Sequence, residues 1–214
     1  MPKVALINPN SNPDTTLRMV ALARTAVPGL LIKGHTATRS PRMIVTAHHL
    51  KAAAAEVEEI GARLTGIDGV IVSAYGDPGA DALASRLTVP VTGLAKASFV
   101  AAARHGRFGV ATTTPDLAAA IDARAAALGH GDRFVGTFVA GDADPLALMS
   151  DPDRLVATLA RAVRMAMDAG AQAVCIGGGP LAGLGRMIGE GVPLIDPVTA
   201  AAIDMQAQID ARPH

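Results

Sequence analysis

The chain has 214 residues, half of them hydrophobic, which is enough to bury one sizeable core or two small ones. Its formal net charge is zero and it contains four Phe, one Tyr and no Trp, so we expect neither a nucleic-acid partner nor an aromatic base-stacking platform. The single cysteine, Cys175, excludes an internal disulfide and any multi-cysteine metal site. The N-terminal apolar run is too short for a signal peptide or a membrane span, so we expect a cytoplasmic protein without membrane contacts.

Short apolar runs alternate with longer amphipathic stretches in the first half of the chain. The predicted elements are a strand at 3–7, a helix at about 15–27, a strand at 30–33, a helix at 47–64 and a strand at 69–72. The first strand stops at residues 8–12, a run of turn formers and helix caps. This strand–helix–strand order implies right-handed crossovers and a parallel sheet.

The same pattern recurs in the second half, with strands predicted at 108–111, 133–139 and 173–176 and a helix at 152–169. Asn8 and Thr112 lie 104 positions apart, as do Val70 and Val174, so Ala74 corresponds to Gly178. This constant offset between corresponding residues favours a chain built from two structurally equivalent halves. We predict an α/β fold with one half at 1–96 plus 198–214, a second half at 97–197, and a pseudo-twofold axis and a cleft between them.

Ligands of parallel sheets bind beyond the carboxyl ends of the strands, where four polar loops of small residues would meet. These loops offer backbone N–H groups, hydroxyls and amides that stabilise an anion or a developing oxyanion. The predicted substrate-binding residues are Asn8, Asn10, Ser11, Ala74, Gly76, Thr112, Thr113, Gly178, Gly179 and Pro180. No His, Asp or Glu spacing matches a metal motif, so no metal is expected.

Three motifs, Ile7-Asn8-Pro9-Asn10-Ser11, Gly76-Asp77-Pro78-Gly79 and Thr112-Thr113, resemble the Asp/Glu/hydantoin racemase superfamily, and its hydantoin and allantoin racemase branch in particular. The resemblance covers nearly the whole chain. It implies two flavodoxin-like halves, each a parallel sheet flanked by helices, no cofactor, and a homo-oligomer. It also implies proton removal and return at a carbon next to a carbonyl, by one cysteine from each half.

Both implied cysteine positions are occupied by other residues, Ala74 and Gly178, which cannot exchange protons. Cys175 lies three positions before Gly178, inside a predicted strand, where a buried thiol is expected. The candidates for catalysis are therefore Tyr75, Asp77 and Lys96, with Asp196 at the equivalent loop of the second half. Each has an alternative role: Tyr75 in packing, Asp77 in helix capping and Lys96 as a solvated residue at a helix start.

These observations favour a cofactor-independent, isomerase-like enzyme. It would transfer a proton next to a carbonyl on a small cyclic ureide, imide or carboxylate, by a mechanism other than a cysteine pair. One alternative is a lyase, such as a decarboxylase, or a hydrolase on the same scaffold, because the resemblance includes a decarboxylating relative with a single thiol. The other alternative is a non-catalytic binder that keeps the polar cleft.

Overall fold

A computed structural model describes residues 1–141, 143–189 and 191–212. Its strands form two parallel four-stranded sheets with the same spatial order, β2-β1-β3-β4 in the first and β6-β5-β7-β8 in the second. The strands are β1 (Lys3–Asn8), β2 (Leu31–Thr36), β3 (Gly69–Val72), β4 (Val91–Gly93), β5 (Phe108–Thr112), β6 (Phe134–Val139), β7 (Ala173–Ile176) and β8 (Leu194–Ile195).

Helices flank both sheets. They are α1 (Pro13–Ala26), α2 (Ala47–Ala62), α3 (Ala80–Arg86), α4 (Leu94–Ala103), α5 (Ala118–Ala127), α6 (Pro145–Leu148), α7 (Pro152–Asp168), α8 (Gly185–Ile188) and α9 (Pro197–Asp210). Side chains cap several of them: Asn12 accepts from the Asp14 N–H at α1, and Asp151 accepts from the Arg154 N–H at α7. Proline in the first turn of both helices costs no intrahelical hydrogen bond.

The predicted fold class, two similar α/β halves with parallel sheets, is confirmed. Strands β3 and β7 begin 104 positions apart and match the predicted bounds. The second strand extends further than predicted, to Thr36, because it pairs with β1 in register as far as Asn8. The first helix begins at Pro13 rather than at Thr15, since the Asn12 cap fixes its start.

Helix α4 connects the halves. It packs against α9 and β4 of the first half and against β5, β7 and β8 of the second. Its Phe99 is fully buried and contacts the rings of Tyr75, Phe108 and Phe134, so one aromatic cluster joins the two halves below the strand ends. Among the described residues, no helix combines the length and the apolar character that crossing a membrane requires.

Candidate active site

A cavity lies between the halves at the carboxyl ends of β1, β3, β5 and β7, with a volume of about 40 Å³. It is lined by Asn10, Met43, Ile44, Ser73, Ala74, Tyr75, Thr112, Thr113, Thr114, Leu117, Gly177, Gly178, Gly179, Pro180 and Leu181. Most of the predicted substrate-binding residues are therefore brought together. No acidic or basic side chain is in this lining, as far as the described part of the chain extends.

The asparagine loop, residues 8–12, supplies one corner of the cavity. Asn8 was predicted to line the cavity, but it does not. Its buried side chain instead makes hydrogen bonds within the loop and to α1. The Asn8 amide donates to the Oδ1 of Asn10 at 2.9 Å and to the hydroxyl of Thr16 at 2.9 Å. Ser11 also lies outside the lining, and its N–H donates to the carbonyl of Pro41. Asn8 thus holds Asn10 in place rather than contacting the cavity itself.

The tyrosine loop, residues 73–77, forms the wall of the first half. Ala74 and Tyr75 line the cavity, whereas Gly76 does not. The Tyr75 hydroxyl is buried and lies beside Ser98 and Cys175, two fully buried residues that are not part of the lining. Burial is the main reason that the pKa of Tyr75 is raised well above its ordinary value, and nearby Cys175 raises it further. The phenol therefore stays protonated at neutral pH.

Asp77 and Lys96 lie outside this lining. The fully buried Asp77 carboxylate accepts hydrogen bonds from the backbone N–H groups of Ala95 at 2.8 Å and Lys96 at 2.9 Å, and it pairs with Arg124. Burial raises the pKa of Asp77, while Arg124 and the two N–H groups act in the opposite direction. Because neither Asp77 nor the half-buried Lys96 reaches the cavity, we assign proton transfer to neither of them.

The threonine loop, residues 112–114, faces the tyrosine loop from the second half. The Thr112 hydroxyl donates to the carbonyl of Gly177 at 2.7 Å, so the Thr114 hydroxyl must donate to Thr112 across their 3.0 Å contact. The Thr113 hydroxyl is buried and unpaired among the described residues. Thr113 is thus the one threonine of this loop whose donor is available to a ligand.

The glycine loop, residues 177–181, completes the wall of the second half. Gly178 stands two residues after β7, as Ala74 stands two residues after β3, and both line the cavity. Cys175 is fully buried inside β7, where burial raises the pKa of its thiol to about 12. Asp196 caps α9 by accepting from the Thr199 N–H, and it accepts from the Gly183 N–H as well; it is absent from the lining.

Several apolar side chains of the lining were not predicted from the sequence: Met43, Ile44, Leu117 and Leu181. Met43 and Ile44 belong to residues 37–46, which cover the cavity and which we call the roof. One end of the roof is fixed by the buried Glu56 carboxylate, which accepts from the N–H groups of Thr38 and Arg39. These hydrogen bonds lower the pKa of Glu56 although its burial acts to raise it. In the sequence, an acidic residue on the apolar face of α2, Glu56, was the one feature that could have indicated a buried contact with the roof.

Side chains that could bind a metal ion are not clustered in the described part of the chain. Within residues 1–141, 143–189 and 191–212, no group of three or more His, Cys, Asp or Glu side chains is arranged to hold a metal ion. His48 and His49 lie beside a separate surface pocket with Glu56, outside the cavity lining. The arrangement offers hydrogen-bond donors and apolar walls, which suit a small organic ligand.

Comparison with known proteins identifies the family of the chain. The model of the family described as Asp/Glu/Hydantoin racemase matches residues 4–204. A hydantoin racemase from Rhizobium meliloti is 29% identical over 221 residues, which cover 97% of this chain and 89% of the relative. One from Paenarthrobacter aurescens is 28% identical over 217 residues, covering 93% of this chain and 87% of the relative.

The solved structure of an allantoin racemase from Pseudomonas fluorescens is also similar. It superposes with a TM-score of 0.89 at 27% identity, covering 97% of this chain and 91% of that chain. The resemblance stated from the sequence motifs is thereby confirmed. The chain belongs to the Asp/Glu/Hydantoin racemase family, in its hydantoin and allantoin racemase-like branch, and so to a family of racemase and isomerase enzymes.

Proposed function

We propose that this chain catalyses proton exchange at the carbon next to a carbonyl of a small, neutral cyclic ureide or imide, with neither a cofactor nor a cysteine pair. One observation carries the proposal. Residues from both halves that carry unpaired hydrogen-bond donors line one cavity, and the described residues of that lining include apolar side chains and no charged ones.

The donors are mainly backbone groups. The N–H groups of Ala74, Tyr75, Thr113 and Thr114 make no hydrogen bond among the described residues, and all four residues line the cavity. The Thr113 hydroxyl adds a fifth donor. When a proton leaves the carbon next to a carbonyl, the electron pair moves onto the carbonyl oxygen. Donors fixed in advance around that oxygen stabilise the resulting enolate.

The lining favours a neutral substrate over a carboxylate. A carboxylate would have to be buried against Met43, Ile44, Leu117 and Leu181 with no Lys, Arg or His side chain beside it. Burying an unpaired charge costs far more than burying a carbonyl that accepts hydrogen bonds. A ureide or imide ring brings carbonyl oxygens to the N–H groups and develops negative charge only during the reaction.

Tyr75 is the one titratable side chain in the lining, counting only described residues. Because its raised pKa keeps the phenol protonated, we assign Tyr75 the return of a proton to the carbon of the enolate. A water molecule accepts the proton that leaves the carbon, and the hydronium ion so formed returns a proton to the Tyr75 phenolate after Tyr75 has given its own proton to the carbon, so that the site regains its starting protonation state. The cavity, at about 40 Å³, holds only a few waters, so the binding of a ring requires the cavity to enlarge.

The experiment follows exchange of the ring C–H of 5-isobutylhydantoin for deuterium in heavy water by proton NMR. The variant Thr113→Val removes a donor from the cavity, and a buried substrate oxygen left without that partner costs about 1–3 kcal/mol. We expect exchange to slow by roughly 5- to 100-fold relative to wild type, in proportion to that cost. Thr137→Val is the matched control, because it removes an equally buried and unpaired hydroxyl from β6, away from the lining.

Equal rates for both variants and the wild type would place the reaction elsewhere. A second candidate function is decarboxylation. Loss of carbon dioxide produces an enolate that hydrogen-bond donors must stabilise, but it needs no base to remove a proton. The described residues of the lining supply such donors and no side-chain base. Release of carbon dioxide from an arylmalonate without hydantoin exchange would favour this lyase. Binding of the hydantoin without either reaction would favour a non-catalytic binder.

Three further properties stay predictions: a cytoplasmic location, assembly into a homo-oligomer, and the division of the chain at residues 96/97 and 197/198. The division at 96/97 falls within α4, which packs against both halves. Helix α9 supports the second boundary, because it packs against α1, β3 and β4 of the first half.

A further inference from the structure

The side chain of Arg124 joins the two halves beside the cavity. It projects from α5 and is only 12% exposed. Its Nε donates to the Asp77 carboxylate at 3.2 Å, while its Nη1 and Nη2 donate to the two Asp81 oxygens at 2.5 and 3.0 Å. One guanidinium thus binds two carboxylates of the other half, and it forms a bidentate pair with the second of them.

Asp77, which pairs with Arg124, also binds the start of α4. Gly93 supplies no side-chain cap, and the Asp77 carboxylate takes that place by accepting from the Ala95 and Lys96 N–H groups. The fit is close: a Cβ on Gly93 would stand 2.2 Å from the carboxyl carbon of Asp77. Asp77 also holds a left-handed backbone conformation, with φ of +53°, in a non-glycine residue. These contacts fix the end of the tyrosine loop.

The two ends of the attachment adjoin opposite walls of the cavity. Helix α5 follows the threonine loop and its neighbour Leu117, and Asp77 comes two residues after Tyr75. We propose that Arg124 is a positioning residue that fixes the spacing between the tyrosine loop and the threonine loop. The proposal rests on the proposed function only in taking this cavity as the site of the reaction.

Removing the guanidinium has a consequence that a loss of packing alone does not have. Asp77 is faced by Arg124 from α5, by Asp81 from α3, by Lys96 from α4 and by Tyr75 in its own loop. Burial already raises the pKa of Asp77, and Arg124 is the strongest influence against that rise. In an Arg124→Met variant the carboxyl therefore takes up a proton at higher pH, and its hydrogen bonds to the start of α4 weaken.

The single tyrosine of the chain provides a readout that needs no substrate. Tyrosine labelled with ¹³C in the ring gives NMR signals from Tyr75 alone. We expect these signals to shift in Arg124→Met in one titration step, at a pH higher than any such step in the wild type, because Asp77 loses the charge that opposes the rise of its pKa. The step should vanish in Arg124→Met combined with Asp77→Asn. Arg86→Met is the control, because it removes an exposed arginine that pairs with Glu58 only.

Hydantoin exchange should slow in Arg124→Met by up to about 10²-fold, the loss expected for a displacement of about 1 Å. If that variant does not fold, Arg124→Lys serves instead. Lysine keeps the positive charge but cannot form the bidentate hydrogen bonds of the guanidinium. We therefore expect the Tyr75 signals to be displaced without the titration step of Arg124→Met. Tyr75 signals identical to wild type at every pH in both variants would overturn the proposal. Failure of the proposed function is separate, since it would appear as no exchange in the wild type.

Discussion

The tyrosine loop and the glycine loop occupy equivalent positions in the two halves, yet they are built differently. The tyrosine loop has side chains and is held by charge, through Asp77 and its partner Arg124. The glycine loop is held through its backbone: the Gly177 N–H donates to Ala111, and the Gly177 carbonyl accepts from Thr112. One wall of the cavity can therefore change with ionisation, whereas the other is set by the course of the main chain.

The difference shows how a pseudo-symmetric fold separates two tasks. Unpaired donors occur on both walls, but the titratable group of the lining, Tyr75, is on one wall only within the described chain. A symmetric pair of acid–base groups would act from both faces of a planar enolate, as a racemase requires. Under the proposed function this site is polarised, because proton return is assigned to one wall and the other wall offers threonine, glycine and leucine residues with no titratable side chain among those described.

The strongest test of this asymmetry is to make the walls alike. The double variant Ala74→Cys with Gly178→Cys places a thiol on each wall; the nearest neighbour of a Cβ at position 178 would be Leu181 at 3.4 Å, and the φ of +156° there makes any side chain at this position strained, equally so in the serine control below. We expect hydantoin exchange to rise by about 10²–10⁴-fold, the usual contribution of general acid–base groups. The measurement is the loss of the C–H signal in heavy water.

A matched control is Ala74→Ser with Gly178→Ser, which adds groups of similar size that do not titrate near neutral pH. Its exchange rate should stay at the wild-type level. If the serine pair accelerates exchange as much as the cysteine pair does, proton transfer by thiols is not the reason for the gain.

The next largest effect is expected from Tyr75→Phe, which removes the one titratable group from the lining as the structure describes it. If Tyr75 returns the proton, exchange should slow by about 10²-fold. The free energy of unfolding should fall by no more than about 1.5 kcal/mol, the usual net contribution of a hydrogen bond, because the lost hydroxyl contacts only Ser98 and Cys175 among the described polar groups. An unchanged rate would show that Tyr75 only packs against Phe99.

A smaller effect is expected where the glycine loop meets the first half. A Cβ on Gly179 would stand 2.8 Å from the Met19 sulfur and 3.1 Å from the backbone oxygen of Ser73. Gly179→Ala should therefore lower the free energy of unfolding by about 1 kcal/mol, measured by urea denaturation. In Gly185→Ala the nearest contact would be 3.5 Å, so a loss of the same size there would contradict a steric cause.

The smallest effect is expected at Cys175, behind the glycine loop. Burial raises the pKa of its thiol to about 12, so the reactive thiolate is scarce at any pH below that value. Native protein should resist iodoacetamide and react only after denaturation, and Cys175→Ser should leave hydantoin exchange unchanged. Inactivation of the folded protein by alkylation at pH 8 would mean that this thiol takes part in the reaction.

Periodicity and spacing predicted the repeat, because strand ends and caps are local signals. The apolar runs at β3 and β7 and the correspondence of Ala74 with Gly178 could be read without any structure. The predicted loops largely line the cavity for the same reason: the carboxyl ends of parallel strands must meet at one edge.

Long-range partners could not be predicted in this way. Arg124 lies in an alanine-rich helix 47 positions from Asp77, and nothing local distinguishes it from a solvated arginine. The roof residues Met43 and Ile44 lie in an irregular segment without a period. From the sequence, the Asp77 carboxylate could serve either in catalysis or in structural hydrogen bonds. Only its distances to the Ala95 N–H and to Arg124 show that it has the structural role.

The main-chain donors of the cavity have an evolutionary consequence. A backbone N–H persists through any substitution except proline, so the ability to hold an oxyanion is inherited with the fold and not with particular side chains. Under the proposed function, a lineage that replaces the side chains at positions 74 and 178 would keep this ability, because the N–H groups of Ala74 and its neighbours do not depend on those side chains. In such a scaffold the side chains that transfer protons can be replaced while the main-chain N–H groups still bind a carbonyl group.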